Sequence, residues 1–196
     1  MHKLKYLLKK NGFFLTLLRL PYRVFKTILN RLNTFFWSFF LQEMGRNCLI
    51  EFGVKIENPK QLILKNNVYI GENTIFGSEY NDGICILHDH VHINKNCRID
   101  HTGHVELQKH VLLSDEVVIF SHSHGYNPYS KAIPKNLYIG ERSWIGYRSI
   151  LLESVEIIEQ NCIISAGAIV TKSCIDENSV YGGVPAKKIK AIVRDE

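Results

Sequence analysis

From Ile139 an aliphatic residue returns at every sixth position, and few folds accommodate that period. Read in sixes, the stretch is I-G-E-R-S-W, I-G-Y-R-S-I and L-L-E-S-V-E. A one-residue slip then sets the frame at Ile158 in preference to Ile157, giving I-E-Q-N-C-I, I-S-A-G-A-I and V-T-K-S-C-I. That frame keeps a small residue (Cys162, Ala168, Cys174) four places after each aliphatic one. A fixed six-residue repeat predicts a parallel β-helix. Each sextet supplies a short strand and a turn, and three sextets close a triangular coil. The aliphatic side chain points inward, and the small one fits the corner. A single coil cannot bury its own inner face, so coils must stack.

The period reaches back through the chain with interruptions. Leu64, Ile70 and Phe76 keep step, with Val68 and Thr74 at the corner places. Leu87, Ile93 and Ile99 form a second set, and Leu107, Leu113 and Ile119 a third. The frame jumps around Tyr80–Ile86 and again around His101–Glu106, where short loops leave the coil. A longer break spans residues 125–136, with Pro128 and Pro134 and no apolar period; a loop of that kind tends to carry function. Four of the five cysteines fall where the repeat wants a small apolar residue, and the set has neither disulfide nor zinc spacing. Buried, unreactive thiols in a reducing compartment are expected.

The first 45 residues differ in kind. They hold eight Lys and Arg (Lys3, Lys5, Lys9, Lys10, Arg19, Arg23, Lys26, Arg31) against one acid, Glu43. The chain's net charge of +5 therefore comes from this arm, and the remainder is slightly acidic. Phe25, Ile28, Leu29, Leu32, Phe36, Phe39 and Phe40 recur at helical spacing. Pro21 suits the first turn of that helix and predicts a boundary with an earlier helix ending near Leu20. The charge-free run Leu32–Gln42 is too short to cross a bilayer, and no signal-peptide pattern is read. The arm suits either of two roles. It can cap the open end of the β-helix or pack between subunits, or it can lie on the inner membrane face as a basic amphipathic anchor. Its aromatics share the apolar face and do not interleave with a basic groove, so nucleic acid is not an expected partner.

Three segments carry a family resemblance: I-G-E-R-S-W-I-G at Ile139–Gly146, S-A-G-A-I-V-T-K at Ser165–Lys172 and G-V-P-A-K-K-I at Gly183–Ile189. They resemble the hexapeptide-repeat acyltransferases of the left-handed β-helix fold. The opening G-R-N-C-L-I-E-F-G-V-K-I-E-N-P is most similar to bacterial sugar and polysaccharide O-acetyltransferases. The resemblance implies an all-β domain over residues 46–196, preceded by the helical arm 1–45. It also implies left-handed coiling, acetyl-CoA as co-substrate without a metal, and a homotrimer. Composition suggests a cytoplasmic location, and the basic arm a peripheral one on the inner membrane face. The acceptor it implies is a hydroxyl of a capsule, exopolysaccharide or lipopolysaccharide unit or its precursor.

Acyl transfer from a thioester to an alcohol needs a base at neutral pH, and imidazole is the natural one. His88, His90, His92, His101, His104 and His110 lie on or beside coil turns, where solvated or cross-coil roles are expected. His122 and His124 stand at the lip of the long loop in S-H-S-H-G-Y. His124 holds the sixth place of its sextet, where the family carries its catalytic histidine; His122 is the alternative. Ser165, Ala166 and Gly167 would let a pantetheine arm lie close to the coil. Thr171, Lys172, Lys187 and Lys188 fall where the family meets the coenzyme's phosphates. Trp144 ends its sextet at an outward turn, and the resemblance makes it a wall of the acceptor or thioester site. Tyr147 replaces a small residue often found near the cofactor. Tyr126 and Tyr129 can stack on a sugar ring. Two other activities share the fold or the base: amino-sugar N-acetylation, and zinc chemistry of the γ-carbonic anhydrase type, which needs three converging histidines.

Overall fold

The computed structural model describes residues 13–193, with side chains from residue 19 onward. Lys3, Lys5, Lys9 and Lys10 of the arm lie outside the described residues. From Glu43 the chain winds into a β-solenoid of about seven coils. Its first face contains Glu43–Met44, Leu62–Leu64, Cys85–Leu87, Val105–Leu107, Leu137–Ile139 and Ile157–Ile158. The second contains Leu49–Ile50, Tyr69–Ile70, His92–Ile93, Leu112–Leu113, Trp144–Ile145, Ile163–Ile164 and Ser179–Gly183. The third contains Lys55–Ile56, Ile75–Gly77, Arg98–Asp100, Val118–Ile119, Ile150–Leu151 and Ile169–Val170. Pairing within each face is parallel, except that Ala186–Ala191 folds back antiparallel on Ser179–Gly183.

The six-residue period becomes three ladders. On the first face Leu64, Leu87, Leu107, Ile139 and Ile158 are register partners. On the second the ladder is Ile70, Ile93, Leu113, Ile145 and Ile164. Phe76, Ile99, Ile119, Leu151 and Val170 make the third. All are fully buried or nearly so, and each contributes about 1.5–3 kcal/mol of apolar burial. Ile158 is buried and Ile157 only half-buried, so the slipped frame is the one the chain uses.

Corners follow an equally simple chemistry. Ser143 donates to the Glu159 carbonyl at 2.9 Å and accepts from the Cys162 amide at 3.1 Å, joining neighbouring coils. Cys85, Cys97, Cys162 and Cys174 are buried, and Cys48 is half-buried. Burial pushes the Cys174 thiol up to about 12, which keeps it protonated and unreactive. Gly146 sits where the next coil passes closest: a Cβ there would lie 2.5 Å from the Ile164 carbonyl oxygen. The turn histidines mostly bond or stack across coils, as with His88 to Glu106 at 2.7 Å and His90 on His110. His101 departs from that expectation. It is fully buried with neither ring nitrogen bonded, and burial pushes its pKa down so that it stays neutral.

The arm corrects the expected boundary at Pro21. A single helix, Phe13–Ser38, runs straight through that proline. Proline costs a helix interior about 3 kcal/mol, chiefly through the carbonyl it deprives of a donor. Pro21 itself is exposed, and the helix continues past it. The helix docks on the first coil by its polar side. Thr34 accepts from the Ile50 amide at 2.9 Å, and Asn33 donates to the carbonyls of Ile50 and Glu51. Asn30 accepts from the Phe52 amide at 3.0 Å and donates to Glu51, while Lys26 reaches Glu72 at 2.6 Å. The apolar side faces outward.

Gly146→Ala is expected to lower stability by about 1–3 kcal/mol, because a backbone carbonyl must yield to the new methyl. Denaturant unfolding monitored by circular dichroism measures this, and an unchanged midpoint would contradict the close approach.

Candidate active site

Every interruption of the sextet frame leaves the coil at one corner, where the third face turns into the first. Residues 78–84 leave after Ile75–Gly77, residues 101–104 after Arg98–Asp100, and residues 120–136 after Val118–Ile119. Stacked on one another, the three excursions form a shelf. Within the longest, His122–Ser123 pairs antiparallel with Ile133–Pro134, so the loop is a hairpin with both histidines on its outgoing arm. Gly125 turns the chain with φ +61, a left-handed conformation that favours glycine. The Tyr80 hydroxyl donates to the Ala132 carbonyl at 2.8 Å and ties the shorter loop to the hairpin.

Asp100 anchors the shelf. Oδ1 accepts from the Thr102 hydroxyl at 2.6 Å and the Thr102 amide at 3.2 Å. Oδ2 accepts from the Ser121 amide at 2.6 Å, the Ser121 hydroxyl at 2.9 Å and His122 Nδ1 at 2.8 Å. Burial pushes this carboxyl up, but the bonds from Thr102, Ser121 and His122 outweigh it and hold the group below the usual carboxylate range. An ionised Asp100 fixes the hydrogen of His122 on Nδ1. His124 is fixed in the same tautomer, because its Nδ1 lies 2.7 Å from the Ser130 carbonyl, which can only accept.

Both imidazoles therefore present Nε2 lone pairs, and both meet the same acid. Glu79 Oε1 lies 3.4 Å from His122 Nε2 and 3.3 Å from His124 Nε2. Three electron-rich atoms gathered within 4.8 Å repel unless a proton or a small cation is shared among them. The hydrogen bond to Ser130, aided by Glu79, raises the His124 pKa above its ordinary value. A proton that enters this cluster is therefore held more tightly by His124 than by an ordinary histidine, on Nε2 toward Glu79. His124 is the more open of the two rings, with its side chain 30% exposed against 17% for His122. Among the described residues this is the one convergent group of three potential metal ligands. It holds two histidines and a glutamate, not the three histidines that γ-carbonic anhydrase chemistry needs.

The remaining sequence-predicted residues are dispersed over the prism. Thr171 and Lys172 lie at the same corner as His124 but two coils further on, about 10 Å at the usual strand spacing. Ser165, Ala166 and Gly167 form the turn between the second and third faces. The amides of Ser165 and Gly167 are already donated to the Tyr181 and Tyr147 carbonyls. The turn thus offers the exposed surface of Ala166 and Gly167. Trp144 is on the second face, half-exposed, with Nε1 donating to Ser114 at 2.8 Å. Tyr147 bonds Glu116 beside it. Lys187 and Lys188 lie on the antiparallel strand beyond that face, and Lys188 pairs with Asp176 at 3.3 Å. Lys172 and Lys187 make no ion pair among the described residues. Tyr126 and Tyr129 are fully exposed on the hairpin. Sequence reasoning missed Glu79, Asp100 and Thr102. Their only signal is that each stands at a frame jump.

No family model matches the chain. It is 29% identical over 164 residues to a putative lipopolysaccharide biosynthesis O-acetyl transferase, WbbJ, of Escherichia coli, covering 74% of this chain and 80% of that protein. Among solved structures it resembles AntD, an N-acyltransferase of Bacillus cereus in complex with dTDP and 3-hydroxybutyryl-CoA. The TM-score is 0.72 at 22% identity, over 83% of this chain and 89% of that one. PerB of Caulobacter crescentus, in complex with CoA and GDP-perosamine, gives a TM-score of 0.56 at 17% identity, over 74% of this chain and 58% of that one. These two likenesses are ones of fold. The six-residue repeat, the solenoid and the Escherichia coli relative are together consistent with a hexapeptide-repeat acyltransferase.

Proposed function

We propose that the protein transfers an acetyl group from acetyl-CoA to a hydroxyl of a bacterial saccharide, with His124 as general base. The observation that carries this reading is the pair of tautomer-fixed imidazoles whose Nε2 atoms meet beside Glu79, at the open edge of the shelf. Neutral His124 takes the acceptor hydroxyl proton on Nε2. The acceptor oxygen attacks the thioester carbonyl, the carbon–sulfur bond breaks, and the imidazolium returns the proton to the departing thiolate. Glu79 stabilises the imidazolium between the two transfers. Asp100 holds the His122 ring beside them through Nδ1. The contact with Asp100 also makes His122 the alternative base, and separate His122→Ala and His124→Ala variants distinguish the two.

Coenzyme A is assigned to Ala166, Gly167 and Thr171 with Lys172 and Lys187, and Trp144 to a wall of the site. One chain spreads these over two corners and a face, so a homotrimer with sites in the grooves between prisms is proposed. There the hairpin, with Tyr126 and Tyr129, reaches a neighbour and encloses the acceptor. The reading places the reaction in the cytoplasm. The description of the Escherichia coli relative favours a saccharide hydroxyl. The description of AntD as an N-acyltransferase favours an amino sugar as second reading. Alkali treatment separates the products, since an ester is cleaved and an amide survives.

His124→Ala is expected to lower the transfer rate by about 10²–10⁴-fold with acetyl-CoA affinity unchanged, as steady-state kinetics and calorimetry together measure. Activity should fall as pH drops through the raised His124 pKa. Glu79→Gln removes a group that raises it, so the acidic limb of the pH–rate profile moves to lower pH; no movement would contradict the shared proton. The double variant Lys172→Ala, Lys187→Ala should weaken CoA binding about tenfold or more in calorimetric titration. Light scattering should give three times the chain mass, and a monomer at micromolar concentration would refute the shared groove.

A further inference from the structure

The exposed large apolar side chains of the described residues concentrate on one side of helix Phe13–Ser38. Val24, Phe25, Ile28, Leu32, Phe35, Phe36 and Phe39 are each between 51% and 64% exposed. At 3.6 residues per turn the six within the helix project from the side opposite Asn30, Thr34 and Trp37, and Phe39 follows just past its end. The helical part of the stripe is about 18 Å long. It is consolidated by Phe35 against Phe39 and Phe36 against Phe40, each with ring centroids 4.8 Å apart. An apolar surface of this size on a water-soluble protein marks an interaction site. The solenoid cannot cover it, because the opposite side of the helix already holds the first coil.

Charge selects the occupant. Residues 1–42 contain eight Lys and Arg and no acid. Among the four whose side chains are described, Lys26 is committed to Glu72, whereas Arg19, Arg23 and Arg31 are exposed. A second copy of the helix would bring like charges together around the apolar contact. An anionic lipid surface neutralises them, and long basic side chains can reach headgroups while the helix body sits lower. No helix of the described residues is long and apolar enough to cross a membrane, which leaves the in-plane geometry of an interfacial helix. We infer that helix Phe13–Ser38 seats the protein on an anionic membrane surface, apolar side in the headgroup region and solenoid held above it by Asn30, Asn33 and Thr34. The geometry is that of a firmly attached keel, not a tethered tail.

The test is co-sedimentation of the full chain with vesicles of phosphatidylglycerol and phosphatidylethanolamine, against vesicles of phosphatidylcholine alone. Binding is expected on the anionic vesicles, weakened by salt, and small on the neutral ones. The double variant Leu32→Ser, Phe36→Ser should bind the anionic vesicles about tenfold more weakly or worse. Its melting temperature and acetyl-CoA affinity should be unchanged, since both residues point away from the coil. Absence of wild-type binding, or equal binding by the variant, overturns the inference. So does a fall in oligomer mass for the variant without loss of vesicle binding, which assigns the stripe to a second copy. Vesicle binding needs no acyl donor, so these outcomes leave the transfer chemistry standing or falling by its own tests.

Discussion

A strand of two residues has no stability of its own, and this solenoid is built from little else. What holds it is the vertical match between coils. Each aliphatic side chain sits on its register partner at about 4.8 Å while the backbones between them hydrogen-bond. Because each coil touches only its neighbours, the energy accumulates by addition along the axis. Anything that leaves the stack must therefore do so between ladder positions. The three excursions obey that rule: Phe76, Ile99 and Ile119 keep their places in the third ladder, and Leu87, Leu107 and Ile139 resume the first. A rigid stack with loops confined to one edge is a means of placing loop residues accurately.

The chemistry of the edge follows from one buried charge. Asp100 ends a third-face strand, and its carboxylate, largely withdrawn from water, is matched by five donors from two loops, one of them a histidine. Removing so many partners from solvent is favourable only because they are held in place together. The order so imposed fixes the ring and tautomer of His122, beside which Glu79 and His124 meet. Ser130 secures the far side of the His124 ring. The raised proton affinity of His124 comes from Ser130 and Glu79.

Periodicity made the ladders readable residue by residue, including the slip to Ile158, because a single position decides inside from outside. The histidine pair was readable for a different reason, since two imidazoles at the lip of a long loop are conspicuous in a sequence. Glu79 and Asp100 were not. They belong to different coils, and sequence distance says little about which corners stack. Pro21 and the arm show the limits of local rules. Local preference places a boundary at that proline, and amphipathicity leaves open whether the apolar side meets the coil or a membrane. The first coil wanted hydrogen bonds more than hydrophobic cover. Its unpaired groups at Ile50 and Phe52 drew the side of the helix rich in Asn and Thr.

That last preference has a consequence for solubility. A stack of parallel strands ends in a bare edge, and a bare edge is a template on which a second molecule could continue the stack into a fibre. At the start, Thr34, Asn33 and Asn30 occupy the donors and acceptors of the second face that another coil would use. At the finish, Ala186–Ala191 turns antiparallel and lines its outer side with Lys187, Lys188 and Lys190, and lysine on an edge strand discourages further pairing. On the second face, continuation of the stack is thereby opposed by a different device at each pole.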